Sequence, residues 1–250
     1  MATKNNWLKT NIKERLVDPS VDIKVWHDVL SVRPISWDEA IKETVEDLSK
    51  LEKKLYVPLS GGMDSEYVMK TLQHLNPIPI IVVTPGNTLE ASYAFHYCKH
   101  NNITPVVIEC NEKQLIDIFY EEIYKKLNGV GIYSIAALIA ARYAYENSGV
   151  AIIGEHAYDG VSEWDFYNDA LISEEACIYF FMWTPELVYA MRGEYLLNES
   201  DDHQEFKHRL YNIPFRPKIT FDHSDQFNEV YTMMMKKRKA RPNTVTKVVV

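Results

Sequence analysis

The sequence predicts an α/β fold, a mostly parallel sheet with helices on both faces, followed by a helical C-terminal region. Two observations predict it. Short apolar runs recur at residues 55–59, 78–83, 104–108 and 150–153, and helix-length segments separate them. Their hydrophobicity is continuous rather than alternating, which marks strands covered on both faces and joined by helical crossovers.

Taken in order, residues 1–35 read as irregular, punctuated by Pro19 and Pro34. Ser36, Trp37, Asp38 and Glu39 carry a capping-box signature. Trp37, Ala40, Ile41, Val45, Leu48 and Leu51 follow at helical spacing, so a helix is expected over 37–52. Strand 55–59 leads to a helix over 66–75, strand 78–83 to a helix over 89–100, and strand 104–108 to a helix over 114–127. An Ala-rich helix over 132–146 precedes strand 150–153. Pro58 conflicts with a central strand, and the expectation is that it sits where the strand leaves its ladder. Past Gly160 the pattern weakens: helices over 174–180 and 186–195, the second opened by Pro185, a polar loop at 198–203, a short helix over 206–211, a Pro-rich stretch at 211–221 and a last helix over 226–239. The expected organisation is an N-terminal segment and helix over 1–54, a core over 55–160 and a helical extension packed on it over 161–250.

Composition narrows the function. With 46% hydrophobic and 25% charged residues among 250, the chain has ordinary globular character. A net charge of −8 argues against a general nucleic-acid binder, which needs a basic surface. Three cysteines, Cys98, Cys110 and Cys177, with no CxxC pair, argue against a disulfide framework or zinc ribbon and fit a cytoplasmic setting. The longest apolar stretch, 132–145, is too short to span a membrane and contains Arg142, and residues 1–10 lack the apolar core of a signal peptide.

The chemistry concentrates in Ser60, Gly61, Gly62, Met63, Asp64 and Ser65, between the first strand and its helix. Two glycines let backbone approach a ligand closely. The start of the next helix offers unpaired N–H groups and a partial positive charge. Ser60 and Ser65 add hydroxyl donors, and the set suits a pyrophosphate. Asp64 would repel phosphate if alone, so its presence implies a cation, most simply Mg²⁺. A sheet ordered third-second-first-fourth would have its switch point between the first and fourth strands, where ligands of open α/β sheets bind. Residues 60–65 and 154–160 would then share one rim, and Asp64 and Asp159 could share a metal. Asp159 also reads as the Asp of an Asp-Gly turn, and Glu155 as a strand-end ion-pair partner.

Residues 60–65 resemble the SGGxDS signature of the N-type ATP pyrophosphatases, the PP-loop superfamily of asparagine, NAD and GMP synthetases. No Walker lysine closes the loop. Within that superfamily the chain is most similar to the synthetase domain of asparagine synthetase. Thr84, Pro85, Gly86 and Asn87 resemble its Pro-Gly turn, and the Ala-rich helix before the fourth strand is also similar. The family pattern Ser-Gly-Glu-Gly-x-Asp-Glu is met by Gly154 and Glu155. It is met by Asp159 only with one residue inserted, and Ile153 and His156 replace the serine and second glycine. The resemblance implies a Rossmann-like sheet over about 55–160 and a soluble enzyme that binds ATP and Mg²⁺. That enzyme would adenylate a carboxylate or carbonyl of a small-molecule substrate, release pyrophosphate, and let ammonia or an amine displace AMP. It implies ATP contacts from Leu59, Ser60, Gly61, Gly62, Asp64, Ser65, Val82, Val83 and Gly154, metal ligands Asp64 and Asp159, and catalytic roles for Asp64, Glu155 and Lys218. Arg216 and Lys218 could neutralise pyrophosphate, and His156 could contact substrate. Asparagine synthetase carries an N-terminal glutaminase whose nucleophile is a cysteine at the second residue. Here that residue is Ala2, so nitrogen is expected as free ammonia or from a partner chain. The basic run at 236–241 leaves open a tRNA- or nucleobase-modifying relative, and fold alone leaves open a non-catalytic nucleotide-binding module.

Overall fold

The computed structural model describes residues 7–18, 20–21, 25–27, 33–125, 135–154, 178–198 and 203–214, with 228, 229 and 232 besides. Five parallel strands make the main sheet: β3 (Lys54–Pro58), β4 (Ile78–Val83), β5 (Val106–Glu109), β6 (Gly149–Ile153) and β7 (Ile178–Phe180). They lie in the order β5-β4-β3-β6-β7, so the expected third-second-first-fourth order holds, with β7 added beyond the fourth strand. Two short strands, β1 (Leu8–Thr10) and β2 (Val25–His27), pair antiparallel in a separate ladder.

The connections explain how the sheet is covered. From β3, the chain steps through α3 (Met63–Thr71) to β4 and through α4 (Thr88–His100) to β5, always in one direction. From β5 it returns past β4 and β3 to reach β6, by way of α5 (Glu112–Ile118) and α6 (Ile135–Glu146). Parallel crossovers are almost always right-handed. A reversal of direction therefore moves the crossover helix to the other face, with α3 and α4 on one side and α6 on the other. The packing agrees: the ring of Tyr56 in β3 meets Tyr143 of α6 edge-on at 6.0 Å, while α3 reaches Gly154 at the end of β6 from the side of Val68. Every residue of β6 is buried, as a covered central strand requires.

Local signals hold where they are chemical. α2 (Trp37–Ser49) opens with the expected capping box: Ser36 Oγ accepts from the Glu39 amide at 3.3 Å, and the Ser36 amide donates to the Glu39 carboxylate at 3.2 Å. The Ser36 amide, joined by the Ser36 hydroxyl donating to the same oxygen at 3.0 Å, holds the Glu39 carboxyl below its usual range. Its buried face carries Trp37, Ala40, Thr44 and Leu48. Thr44 is tolerated there because its hydroxyl shares a 3.1 Å hydrogen bond with that of Thr184, just before α7 (Pro185–Asn198). Pro58 ends β3. The Leu59 amide donates to Ile80 of β4 at 2.8 Å, so the missing donor of Pro58 would face β6, where registered pairs have already stopped at Tyr56–Ala151. The proline does sit where the strand leaves that ladder.

Three expectations need correction. Residues 1–35 are not wholly irregular: α1 (Ile12–Val17) and the β1–β2 ladder lie within them, both too short to leave a periodic trace. The helix expected over 174–180 is wrong at its end, because Ile178–Phe180 forms β7, buried throughout beside β6. A three-residue apolar run has no period to distinguish strand from helix. The helix expected over 114–127 starts at Glu112 and changes to π-helical turns across Phe119–Tyr124, where buried Phe119 and the Arg142–Glu122 ion pair to α6 fix it. α8 (His203–Tyr211) covers the short helix expected over 206–211. No helix among the described residues is long and apolar enough to cross a membrane.

Candidate functional site

The loop of residues 60–65 leaves the carboxyl end of β3 and enters α3 at the sheet's switch point, between β3 and β6. Its two glycines have different reasons to be there. Gly61 has φ +92°, and a Cβ on it would fall 1.9 Å from the Glu90 carbonyl oxygen of α4. It is glycine because helix α4 presses on it and its backbone is left-handed. Gly62 has φ −75° and ψ 160°, open to any residue, and a Cβ there would meet nothing nearer than Ser60 Oγ at 3.4 Å. The protein does not require glycine at 62, so the bare space over its backbone is available to a ligand.

Both serine hydroxyls bond within the loop. Ser65 Oγ donates to the Gly62 carbonyl at 3.0 Å and accepts from the Ser60 amide at 3.2 Å. Ser60 Oγ accepts from the Gly62 amide at 3.2 Å and lies 3.1 Å from Ser65 Oγ. This closed set fixes the turn that delivers the backbone into α3. Gly62 is the N-cap residue of α3 and supplies no side-chain cap, which leaves the helix start open toward an anion.

Asp64 lies in the first turn of α3 and meets a partner that sequence reasoning missed. Lys207 of α8 places its Nζ 3.0 Å from Asp64 Oδ2. The lysine side chain is 4% exposed and the aspartate 30%. A buried ammonium persists only when paired and hydrogen-bonded. Its signal was present in the sequence: Lys207 precedes Tyr211 by four residues, so a cation stands on the inward stripe of α8. Tyr211 in turn stacks on Tyr67 of α3 at 4.3 Å, and Trp37 donates its indole N–H to Tyr67 Oη at 2.9 Å. These contacts fasten α8 beside the loop.

Gly154 closes the other side. A Cβ on it would fall 2.9 Å from both the Asp64 carbonyl oxygen and Val68 Cγ2, so glycine is what lets β6 end against the start of α3. Residues 60–65 and 154 therefore do meet. Leu59 is buried beneath the loop. Val82 and Val83 end β4 next to β3, and both carbonyls are engaged: Val82 accepts from Asn87 Nδ2 at 2.8 Å, and Val83 from the Cys110 amide at 2.8 Å. Thr84 and Asn87 close the expected Pro-Gly turn, with the Asn87 amide donating to the Thr84 carbonyl at 3.2 Å and Asn87 Oδ1 accepting from the Thr84 amide at 2.7 Å. Glu155, His156, Asp159, Arg216, Lys218 and the basic run at 236–241 lie outside the described residues. Among the described residues no group of three or more His, Cys, Asp or Glu side chains is placed to hold a metal ion. Asp64 supplies one hard oxygen donor set, shared with Lys207.

Comparison with known proteins gives the family. The family model of asparagine synthase matches residues 36–208. No curated protein matches the chain. Among solved structures it is similar to an NH3-dependent NAD synthetase from Campylobacter jejuni, at 14% identity and TM-score 0.41, over 84% of this chain and 100% of that one. It is also similar to an NMN synthetase from Francisella tularensis, at 13% identity and TM-score 0.43, over 84% and 98%. A third is a predicted subunit of a tRNA methyltransferase from Methanocaldococcus jannaschii, at 16% identity and TM-score 0.41, over 77% and 93%. Likenesses this distant carry no argument about substrate. The family match, which spans well over half of the chain and takes in both the loop and Lys207, is sufficient by itself: the chain belongs to the asparagine synthase family of PP-loop ATP pyrophosphatases.

Proposed function

We propose that the protein is an ATP-dependent, AMP-forming ligase or amidotransferase. The observation that carries this reading is the loop itself: a glycine at 62 that the protein does not need, at the open start of α3, beside a buried lysine. A phosphate chain is the ligand that uses all three features. Backbone at Gly62 admits close approach, the helix start supplies N–H groups, and the Lys207 ammonium offsets negative charge. Leu59, Val82 and Val83 are proposed to flank the nucleoside.

In the proposed reaction a carboxylate oxygen of the acceptor attacks the α-phosphorus of ATP. The bond between that phosphorus and the α,β-bridging oxygen breaks, and pyrophosphate leaves. Ammonia or an amine then attacks the activated carbonyl carbon, AMP departs, and a proton passes from the amine to a base. Glu155, next after Gly154, is proposed as that base or as an acceptor contact, and Lys218 as a second cation for pyrophosphate. The contribution of the chain's own groups is positioning and charge stabilisation.

Mg²⁺ fits Asp64 in part. A hard cation takes oxygen ligands, and Mg²⁺ is commonly held by one or two carboxylates with substrate phosphates. Asp64 and, as proposed, Asp159 would hold it, and when bound it would offset the charge of the pyrophosphate. Because Lys207 already occupies Asp64 Oδ2, the lysine and the cation would divide the two oxygens of one carboxylate. Incubation with Mg²⁺, ATP and a panel of amino acids and small carboxylates, with and without ammonium, tests the proposal. AMP and pyrophosphate should appear in equal amounts with at least one acceptor; ADP and phosphate as the only nucleotide products would refute it.

A further inference from the structure

A cavity opens away from the loop, where α2, α7 and α8 meet. Its volume is about 300 Å³, at the small end of the range for ligand sites. Trp37, Phe206 and Leu210 give it an apolar floor, and Asp38, Glu194 and Arg209 bring charge from three different helices. Asp38 and Arg209 are exposed and form no ion pair among the described residues, with each other or with any other group, although both line one cavity. Opposite charges are thus held apart across an apolar base. Lys207 lies on another side of the same helix: at 3.6 residues per turn, the centre of the stripe made by 206, 209 and 210 is roughly 100° around α8 from it. The cavity is therefore separate from the Asp64–Lys207 pair.

We propose that this cavity binds a small α-amino acid with an apolar side chain. Arg209 would take its carboxylate, Asp38 its ammonium, and Trp37, Phe206 and Leu210 its side chain. A zwitterion is the ligand class that satisfies both signs at once; a neutral apolar molecule would leave the charges of Asp38 and Arg209 unused, and a simple anion would face the Asp38 carboxylate. Guanidinium and carboxylate form strong charge-assisted bonds, and an aromatic floor suits an apolar body.

Calorimetric titration of the full chain with L-phenylalanine tests this, together with its two half-analogues, 3-phenylpropionate and phenethylamine. L-phenylalanine should bind saturably at one site, and each half-analogue at least about tenfold more weakly, as expected for loss of one charge-assisted contact. Arg209→Ala changes an exposed residue and should lower L-phenylalanine affinity by a similar factor with an unchanged circular dichroism spectrum. Asp38→Asn should lower it as well. Saturating Mg²⁺ and ATP should leave the binding in place. No saturable heat with the wild-type chain, wild-type affinity in either variant, or displacement by ATP would each overturn the proposal.

Discussion

Two adjacent glycines should respond to alanine in opposite ways. At Gly61 the added Cβ would stand 1.9 Å from the Glu90 carbonyl oxygen and 2.7 Å from its carbon, both in the backbone of α4, and the residue would keep φ near +92°. A non-glycine residue in a sparsely populated backbone region costs of order 1–3 kcal/mol, and overpacking against fixed atoms about 1–3 kcal/mol more. Gly61→Ala is therefore expected to lose about 2–6 kcal/mol, and for a chain of this length each kcal/mol moves the Tm by about 2–4 °C. A drop of at least about 4 °C should be seen by differential scanning calorimetry. At Gly62 the backbone suits alanine and the nearest atom, Ser60 Oγ at 3.4 Å, is in ordinary contact. Reduced freedom of the unfolded chain should gain about 0.4–1 kcal/mol, offset by the weaker fit of alanine at an N-cap, for a net change within about 1 kcal/mol. Yet Gly62→Ala should weaken ATP binding, measured calorimetrically, by at least about tenfold, because its methyl fills the space a phosphate would use. Unchanged ATP affinity in Gly62→Ala would refute the loop's role, and an unchanged Tm in Gly61→Ala would refute the packing account.

Asp64→Asn should abolish Mg²⁺-ATP turnover, but it also removes the carboxylate 3.0 Å from a buried ammonium, so a cost of about 2–4 kcal/mol is expected in urea unfolding. Lys207→Met should cost less, about 1–2 kcal/mol, since Asp64 is 30% exposed and can rehydrate; the double variant should lose less than the sum, and strict additivity would deny the coupling. Glu155→Gln should spare ATP binding and slow product formation, whereas Asp159→Asn should weaken the magnesium dependence; identical kinetic defects would remove the proposed division of roles. Stability should fall on the alkaline side. Burial pushes the Cys98 thiol up to about 11 and the Tyr97 hydroxyl to about 12, the latter with help from the Glu66 carboxylate. In the window from about pH 9 to 11 the unfolded chain has released the Cys98 proton and the folded chain still holds it, so unfolding is favoured as pH rises, and below pH 9 this group contributes no slope. Urea midpoints against pH should show the decline, and Cys98→Ala should make it shallower.

The fold was legible where its signals were local and chemical. The Ser36–Glu39 box, Pro185 at the start of α7, and the four apolar runs name elements because caps, prolines and covered strands follow from residue chemistry. β7 was not legible, since Ile178–Phe180 is too short for a period, and only its place beside β6 makes it a strand. The site shows the same division. Ser60 to Ser65 announced a loop, but its residues do different work from that suggested by composition alone: the hydroxyls bond within the loop, Gly61 yields to α4, and Gly154 yields to α3. A string of residue types cannot say which neighbour a missing Cβ makes room for. Lys207 shows the converse. It lies 143 residues from Asp64, and no spacing rule joins them. What could have exposed it was a lysine on the apolar stripe of a helix, because such a charge has to find a partner on the element it packs against. In an α/β chain with an acidic loop, an inward lysine on a late helix is itself evidence of where that helix docks, and here Lys207 marks α8 as the helix that docks beside Asp64.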